Sequence, residues 1–155
     1  MIRSIGRILS NPSDADDALQ DTLLKIWKRL SGIIAHANPE ALVLRICANS
    51  AYDVLRKRTR DKKHIPLDGT SVKISDPEPP AIEKIADQET RKEILEAIGR
   101  LNRKHAEVVI MRFVQGLSFS AIAQAQGCRE VTARKYLERA RTKLRQRLMH
   151  LAPFI

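Results

Sequence analysis

Apolar positions along this chain recur every three or four residues, and no segment alternates with period two for long. That periodicity predicts an all-α protein. A short apolar stretch, Ile2 to Leu9, stops at Asn11-Pro12. Ser13 then reads as the N-cap of a helix, with Asp16 three residues on as a short capping-box acid. Ala15, Ala18, Leu19, Leu23, Ile26, Trp27 and Leu30 make one apolar stripe, predicted to face the core. Ser31 to Asn38 reads as a loop. Asn38-Pro39 supplies a cap and a first-turn proline for a long helix to about Arg60. Its apolar set is Leu42, Val43, Ile46, Cys47, Ser50, Val54 and the stem of Lys57.

The pattern breaks between Asp61 and Ala86. Pro66, Pro77, Pro79 and Pro80 exclude a regular helix or central strand there. The segment is either a plain spacer or a partner-docking linker. Two small helical domains, residues 1–62 and 87–150, are therefore predicted on either side of a linker at 63–86. Helical periodicity returns at Asp87 with Ile94, Leu95, Ile98 and Leu101. Asn102 can cap the next helix, whose apolar set is Val108, Val109, Met111 and Phe113, and Gly116 ends it in a left-handed conformation. Ser118 caps a short helix that Gly127 closes. A final helix, Glu130 to Leu148, places Ala133, Leu137, Ala140, Leu144 and Leu148 on its inner stripe.

Composition narrows the partner. The 155 residues carry a formal net charge of +10, which favours a polyanion. The charge is uneven: both ends are basic, and residues 61–90 are acidic. Aromatic residues are only 4%, so the core must be built from Leu, Ile, Val and Ala. Cys47 and Cys128 stand apart without metal-ligand spacing, and read as small side chains buried in a reducing compartment. No signal peptide or membrane-spanning run is evident, which predicts a cytoplasmic chain without membrane insertion. His36, His64, His105 and His150 are scattered, and no phosphate loop, metal cluster or catalytic triad is spaced along the chain. No enzyme activity, cofactor or metal is expected.

The segment Leu117 to Arg145 has the logic of a helix-turn-helix. A capped two-turn helix ends in glycine, a tight turn follows, and Ala123 is small where two helices must approach. The outer face of the second helix presents Arg129, Glu130, Thr132, Arg134, Lys135, Glu138 and Arg139. Arg and Lys can reach guanine edges or phosphates, and Glu can accept from cytosine. A charged, solvated helix is the plainer alternative. Arg141, Lys143, Arg145 and Arg147 suit phosphate contact more than base readout.

The N-terminal half carries two further faces. Asp14, Asp16 and Asp17 suit the positive end of a helix dipole. Asp14, Asp17, Gln20, Asp21 and Leu24 also share the side opposite the predicted stripe, which suggests a protein-docking patch. On the next long helix Arg45, Asn49, Tyr52, Asp53, Arg56 and Arg60 recur at helical spacing. Asn and Tyr can bond or stack on an exposed base while Arg holds phosphates. A solvated face with an Asp53–Arg56 pair is the alternative.

At these residues the chain resembles the sigma-70 superfamily, specifically the extracytoplasmic-function (group IV) sigma factors. Asn11-Pro12-Ser13-Asp14-Ala15-Asp16-Asp17-Ala18-Leu19-Gln20-Asp21, Trp27, Leu44-Arg45-Ile46-Cys47-Ala48-Asn49 and Asp53-Val54-Leu55-Arg56 look like conserved region 2. Ile98, Arg112, Gly116-Leu117-Ser118, Ile122-Ala123, Gly127, Thr132, Leu137, Arg139-Ala140-Arg141 and Leu144 look like region 4. The chain departs from the pattern at a shortened first helix, at Leu42 where a tryptophan is common, and at Phe119-Ser120-Ala121 where a glutamate is usual.

The resemblance implies a division of labour. Asp14, Asp17, Gln20 and Asp21 would dock on the clamp helices of the RNA polymerase β′ subunit. Asn49, with Tyr52, Asp53, Arg56 and Arg60, would read and melt the minus-10 element, and the loop at Ser31–Asn38 would hold a flipped base. Arg129, Glu130, Thr132, Arg134, Lys135 and Arg139 would read the minus-35 duplex. Val108, Val109 and Phe113 would pack the core and partly serve the polymerase β flap. Core polymerase and promoter DNA are the implied partners, and an anti-sigma factor is common in this family. Two other functions remain open on sequence alone: a helix-turn-helix regulator acting without core polymerase, and a degenerate sigma that titrates a partner.

Overall fold

The computed structural model of the chain describes residues 2–61 and 88–154. The predicted linker at 63–86 lies outside them. Every regular element among the described residues is helical. In chain order these are α1 (Ile2–Ile8), α2 (Pro12–Lys28), α3 (Leu30–Ile34), α4 (Pro39–Asp61), α5 (Gln88–Gly99), α6 (Arg103–Val109), α7 (Phe119–Gln126) and α8 (Glu130–Arg147). A π-helical turn, Ile110–Val114, extends α6, and a 3₁₀ turn, Met149–Phe154, follows α8.

Local chemistry sets most of the ends. Asn38 Oδ1 accepts from the Ala41 amide at 3.1 Å, Asn102 Oδ1 from His105 at 3.0 Å, and Ser118 Oγ from Ala121 at 3.1 Å. Each satisfies a backbone donor that has no partner inside its helix. Gly116 and Gly127 take φ of +72° and +64°, the left-handed conformation that stops α7 and the turn before it. The cap of α2 is Asn11, not Ser13. Its Oδ1 accepts from the Ser13 and Asp14 amides, and Pro12 fills the first helical position, where no amide donor is needed. Ser13 is therefore already inside the helix.

Helix α2 turns only the first part of its predicted apolar stripe to the core. Ala18 and Thr22 are buried against α4, with Ala15 and Leu19 partly so, and the Thr22 hydroxyl donates to the Ala18 carbonyl at 2.7 Å. Leu23, Trp27 and Leu30 are exposed, Trp27 by 78%. Nor is Ser31–Asn38 all loop. The chain winds one further helical turn, α3, because Ile33 is an apolar anchor that packs at 5% exposure.

Helix α4 is the spine of the molecule. It packs on α1, α2 and α3 from its own half and on α5, α6 and α7 from the other. Ala41, Ala48, Ala51, Tyr52 and Leu55 are buried with Ile46 and Cys47, while Lys57, expected to lend its stem, is exposed. Alanine on several faces lets helices approach a common axis closely. Burial pushes the Cys47 thiol up to about 11, so it stays protonated and inert. In the other half Val108, Val109, Ile110, Met111 and Ile122 build the core, with Ala133, Leu137 and Ala140 from the inner stripe of α8. Gly99 marks the join between the halves. A Cβ there would meet Thr59 Oγ1 at 2.8 Å and the Leu55 carbonyl oxygen at 3.2 Å, so α5 can end against α4 only as glycine.

Candidate nucleic-acid and polymerase interfaces

The α7–α8 pair forms a helix-turn-helix whose geometry follows from its capping. Ser118 starts α7, left-handed Gly127 turns the chain, and α8 begins three residues later. The Arg112 guanidinium donates to the Leu117 carbonyl at 2.9 Å and so ties the entry loop to the helix before it. Arg129, the residue just ahead of α8, is exposed, as are Arg134, Lys135, Glu138 and Arg139 on it, and Glu130 and Thr132 are half-buried near its start. Arg134 is pre-positioned. Its guanidinium donates to Glu130 Oε1 one turn back and lies 4.3 Å from the centre of the Phe119 ring. This places a rigid, planar donor on the outer face. His105 is buried with its ring 5.9 Å from that of Tyr136, and burial, then the charges of Lys143 and Arg139, lowers its pKa. A neutral imidazole there keeps charge out of the core.

The acidic helix divides into two. Asp14 and Asp21, expected to face outward, turn towards α4: Asp14 pairs with Arg58, and Asp21 accepts from Ser50 at 2.7 Å and pairs with Lys25. Burial acts to raise the Asp21 pKa, but the Lys25 and Ser50 hydrogen bonds and the charges of Lys25 and Lys28 outweigh it, and the net shift is downward. Asp17, Gln20 and Leu24 do face solvent. They share that face with Asp16, Leu23 and Trp27, and Leu30 and Ile34 continue the apolar surface beyond the helix. An exposed apolar strip edged by carboxylates suits a protein partner.

The face of α4 expected to meet single-stranded DNA is largely covered by the other half of the chain. Tyr52 is 1% exposed and donates its hydroxyl to the Leu101 carbonyl at 2.6 Å. Burial raises its pKa, and the nearby charges of Arg56 and Arg103 partly offset this. Asp53 pairs with Arg103 at 2.6 Å, not with Arg56. Arg56 and Arg60 are exposed, at the rim of a cleft between the halves. Asn49 is half-buried, and its Oδ1 is buried without a hydrogen-bond partner among the described residues. Val108 and Val109 are core residues, and Phe113 is half-buried beneath Arg141.

One cluster escapes a reading by hydropathy alone. Glu107 of α6 is 1% exposed, and its Oε2 accepts from Arg45 Nε and from Gln126 Nε2, each at 3.0 Å. Arg45 also donates to the Ala125 carbonyl at 2.9 Å. A carboxylate within the apolar run Ala106-Glu107-Val108-Val109 is the visible signal, since a buried acid demands a partner. What the sequence does not show is that the partner comes from the other half. Gln115, donating to the Leu44 carbonyl at 2.9 Å, and Asn38, donating to Gln124 at 2.9 Å, add two more cross-links.

Known proteins divide the chain in the same order. The model for sigma-70 region 2 matches residues 1–61, and that for sigma-70 region 4 matches residues 91–144. The chain is 30% identical to the ECF RNA polymerase sigma factor SigM of Mycobacterium tuberculosis, over 97% of this chain and 72% of that protein. It is 26% identical to the probable RNA polymerase sigma factor RfaY of Xanthomonas campestris over 87% of its own length, but spans only 34% of RfaY. Among solved structures, the sigma factor RpoE of Bartonella quintana, co-crystallised with the anti-sigma factor NepR, superposes with a TM-score of 0.53 at 22% identity. That likeness covers 96% of this chain and 89% of RpoE, and shows a shared fold. The chain belongs to the sigma-70 family, and within it to the ECF RNA polymerase sigma factors. The helix-turn-helix alone would also suit a free-standing regulator; the preceding region 2 match over α1–α4 would not. No helix among the described residues is long and apolar enough to cross a membrane.

Proposed function

We propose that this chain docks on core RNA polymerase and directs initiation by reading two unlike DNA elements with its two halves. The halves are residues 1–62 and 87–150, joined through 63–86. The observation that carries this proposal is the pairing of a helix-turn-helix, whose outer face bears Arg129, Arg134, Lys135 and Arg139, with a separate polar face on α4. The first reads duplex at the minus-35 element, with Glu130 and Thr132 at the start of the recognition helix. The second, Asn49 with Tyr52, Asp53, Arg56 and Arg60, binds the unpaired strand at minus-10. Free energy is transferred from binding to strand opening because flipped bases are held and paired ones are not. Asn49 Oδ1 is buried and has no hydrogen-bond partner among the described residues, so once α4 is released it can accept from a base edge. Asp17, Gln20, Leu24 and Trp27 form the polymerase-facing strip, and Asp14 and Asp21 act behind it by fixing α2 on α4.

In this mechanism the covered face of α4 must be released before it can take single-stranded DNA. The chain does no covalent chemistry of its own. A pair of variants separates the two DNA contacts. Asn49→Ala should slow open-complex formation by about tenfold or more while duplex binding is retained. Arg134→Ala with Lys135→Ala should weaken duplex binding by about 1–3 kcal/mol per lost base contact and leave melting on a pre-opened template intact. Permanganate footprinting and duplex gel-shift measurements on both variants check this. Loss of the same step in both would overturn the division of labour.

A further inference from the structure

The geometry points to a binding site for a free oligophosphate in the cleft between the two halves. The cleft has a volume of about 450 Å³, within the range of small-molecule sites. Five guanidiniums line it: Arg56 and Arg60 from α4, Arg100 and Arg103 from the α5–α6 corner, and Arg147 from the end of α8. Among the described residues no acidic side chain lines it. Asp53, nearby, is engaged with Arg103. The cleft is thus a cationic concavity whose two walls belong to different halves of the chain.

Charge repulsion across such a cleft opposes its closure, yet the halves meet there closely. Gly99 on the wall has no room for a Cβ against Leu55 and Thr59. A multiply charged anion cancels the repulsion and ties both walls together. Guanidinium forks match phosphate oxygens two at a time, and linked phosphates present several such edges within a short span. A chain of phosphates offers the five guanidiniums more oxygen edges, and more charge, than a single phosphate does. The ligand class is therefore a chain of two or more phosphates, either inorganic or carried on a nucleoside. Because both walls are needed, the ligand binds only the arrangement in which α4 is covered. It therefore stabilises that arrangement by mass action. If the proposed function is right, such an anion restrains the sigma factor. The binding test itself does not depend on that function.

The test is calorimetric titration of the full chain with tripolyphosphate, a nucleoside triphosphate and orthophosphate at physiological ionic strength, where diffuse charge attraction is screened. Tripolyphosphate should bind one to one and at least about tenfold more tightly than orthophosphate. A nucleoside triphosphate binding tighter still identifies the nucleotide as the source; equal or weaker binding identifies the inorganic chain. Arg100→Ala with Arg147→Ala should weaken tripolyphosphate at least about tenfold. Both side chains are exposed, so the fold is kept. Lys28→Ala with Lys92→Ala removes the same charge at exposed positions outside the cleft and should leave affinity unchanged. Gly99→Leu, which wedges the walls apart while keeping every arginine, should also abolish binding. Equal losses in the two double variants would overturn the site, as would full binding in Gly99→Leu. So would a ten-nucleotide single strand that depends on Arg100 and Arg147 while tripolyphosphate fails to saturate, which would make the cleft a nucleic-acid track.

Discussion

Arg45→Ala should part the two halves of the molecule. The Arg45 guanidinium is what neutralises Glu107, a carboxylate 1% exposed at the centre of the contact. Removing one partner of a buried ion pair strands the other, at a cost of about 3–5 kcal/mol. Gln126 still donates to Glu107, and the Arg45 side chain is itself 30% exposed, so the lower end, about 3 kcal/mol, is expected. That corresponds to roughly a hundredfold in an equilibrium constant. The chain can escape the penalty without unfolding either core, by lifting α4 away from α6 and α7 and hydrating Glu107. Small-angle scattering should show a larger radius of gyration, and hydrogen exchange should rise along residues 41–55 and 101–126. Glu107→Ala should have a smaller effect, because the arginine it frees already reaches water. A compact, unchanged Arg45→Ala chain, or a larger effect from Glu107→Ala, would contradict this account of the contact.

Trp27→Ala should weaken binding to core polymerase by roughly 30-fold, about 2 kcal/mol, the scale of an aromatic anchor at a protein interface. Its thermal stability should stay within about 0.5 kcal/mol of the parent, as for surface positions generally. The two readouts together matter. Were Trp27 a core residue, as its spacing with Leu23 and Leu30 predicts, truncation would cost about 3–5 kcal/mol of stability. At 78% exposure it has little to lose on that side. Leu24→Asp, on the same strip, should weaken core binding in the same way. A competition assay against a labelled sigma factor measures the first quantity, and thermal unfolding the second.

The helix ends of this fold were legible because their causes are local. Asn38, Asn102 and Ser118 cap the helices that follow them, and Gly116 and Gly127 adopt the left-handed turns that their positions imply. The outer face of α8 was equally readable, since an inner stripe of Ala133, Leu137 and Ala140 fixes the opposite side. Helix α2 misleads because its buried side is made of small and polar residues. Ala18, Thr22 and the inward-turned Asp14 and Asp21 carry little hydropathy, and their burial is supported by hydrogen bonds and ion pairs to α4. Leu23, Leu24 and Trp27, larger and apolar, are left on the exposed side. Helix α4 shows the complementary difficulty. A period of 3.6 residues reveals which face is apolar, but not that Tyr52, polar at one atom and aromatic elsewhere, will be roofed by a distant loop through the Leu101 carbonyl. The Glu107–Arg45 pair is non-local for the same reason: each charge is visible in the sequence, but their meeting depends on how the halves dock.

Run-off transcription with purified core polymerase on a pool of promoter fragments separates a polymerase-dependent initiation factor from a free-standing regulator. Core polymerase alone should stay silent, and adding this chain should start transcripts from a subset of fragments. Those fragments should share two unlike elements about a sigma factor's reach apart. Normal binding to core polymerase without initiation from any fragment would contradict the proposed function, as would recognition of a palindromic site that needs no polymerase.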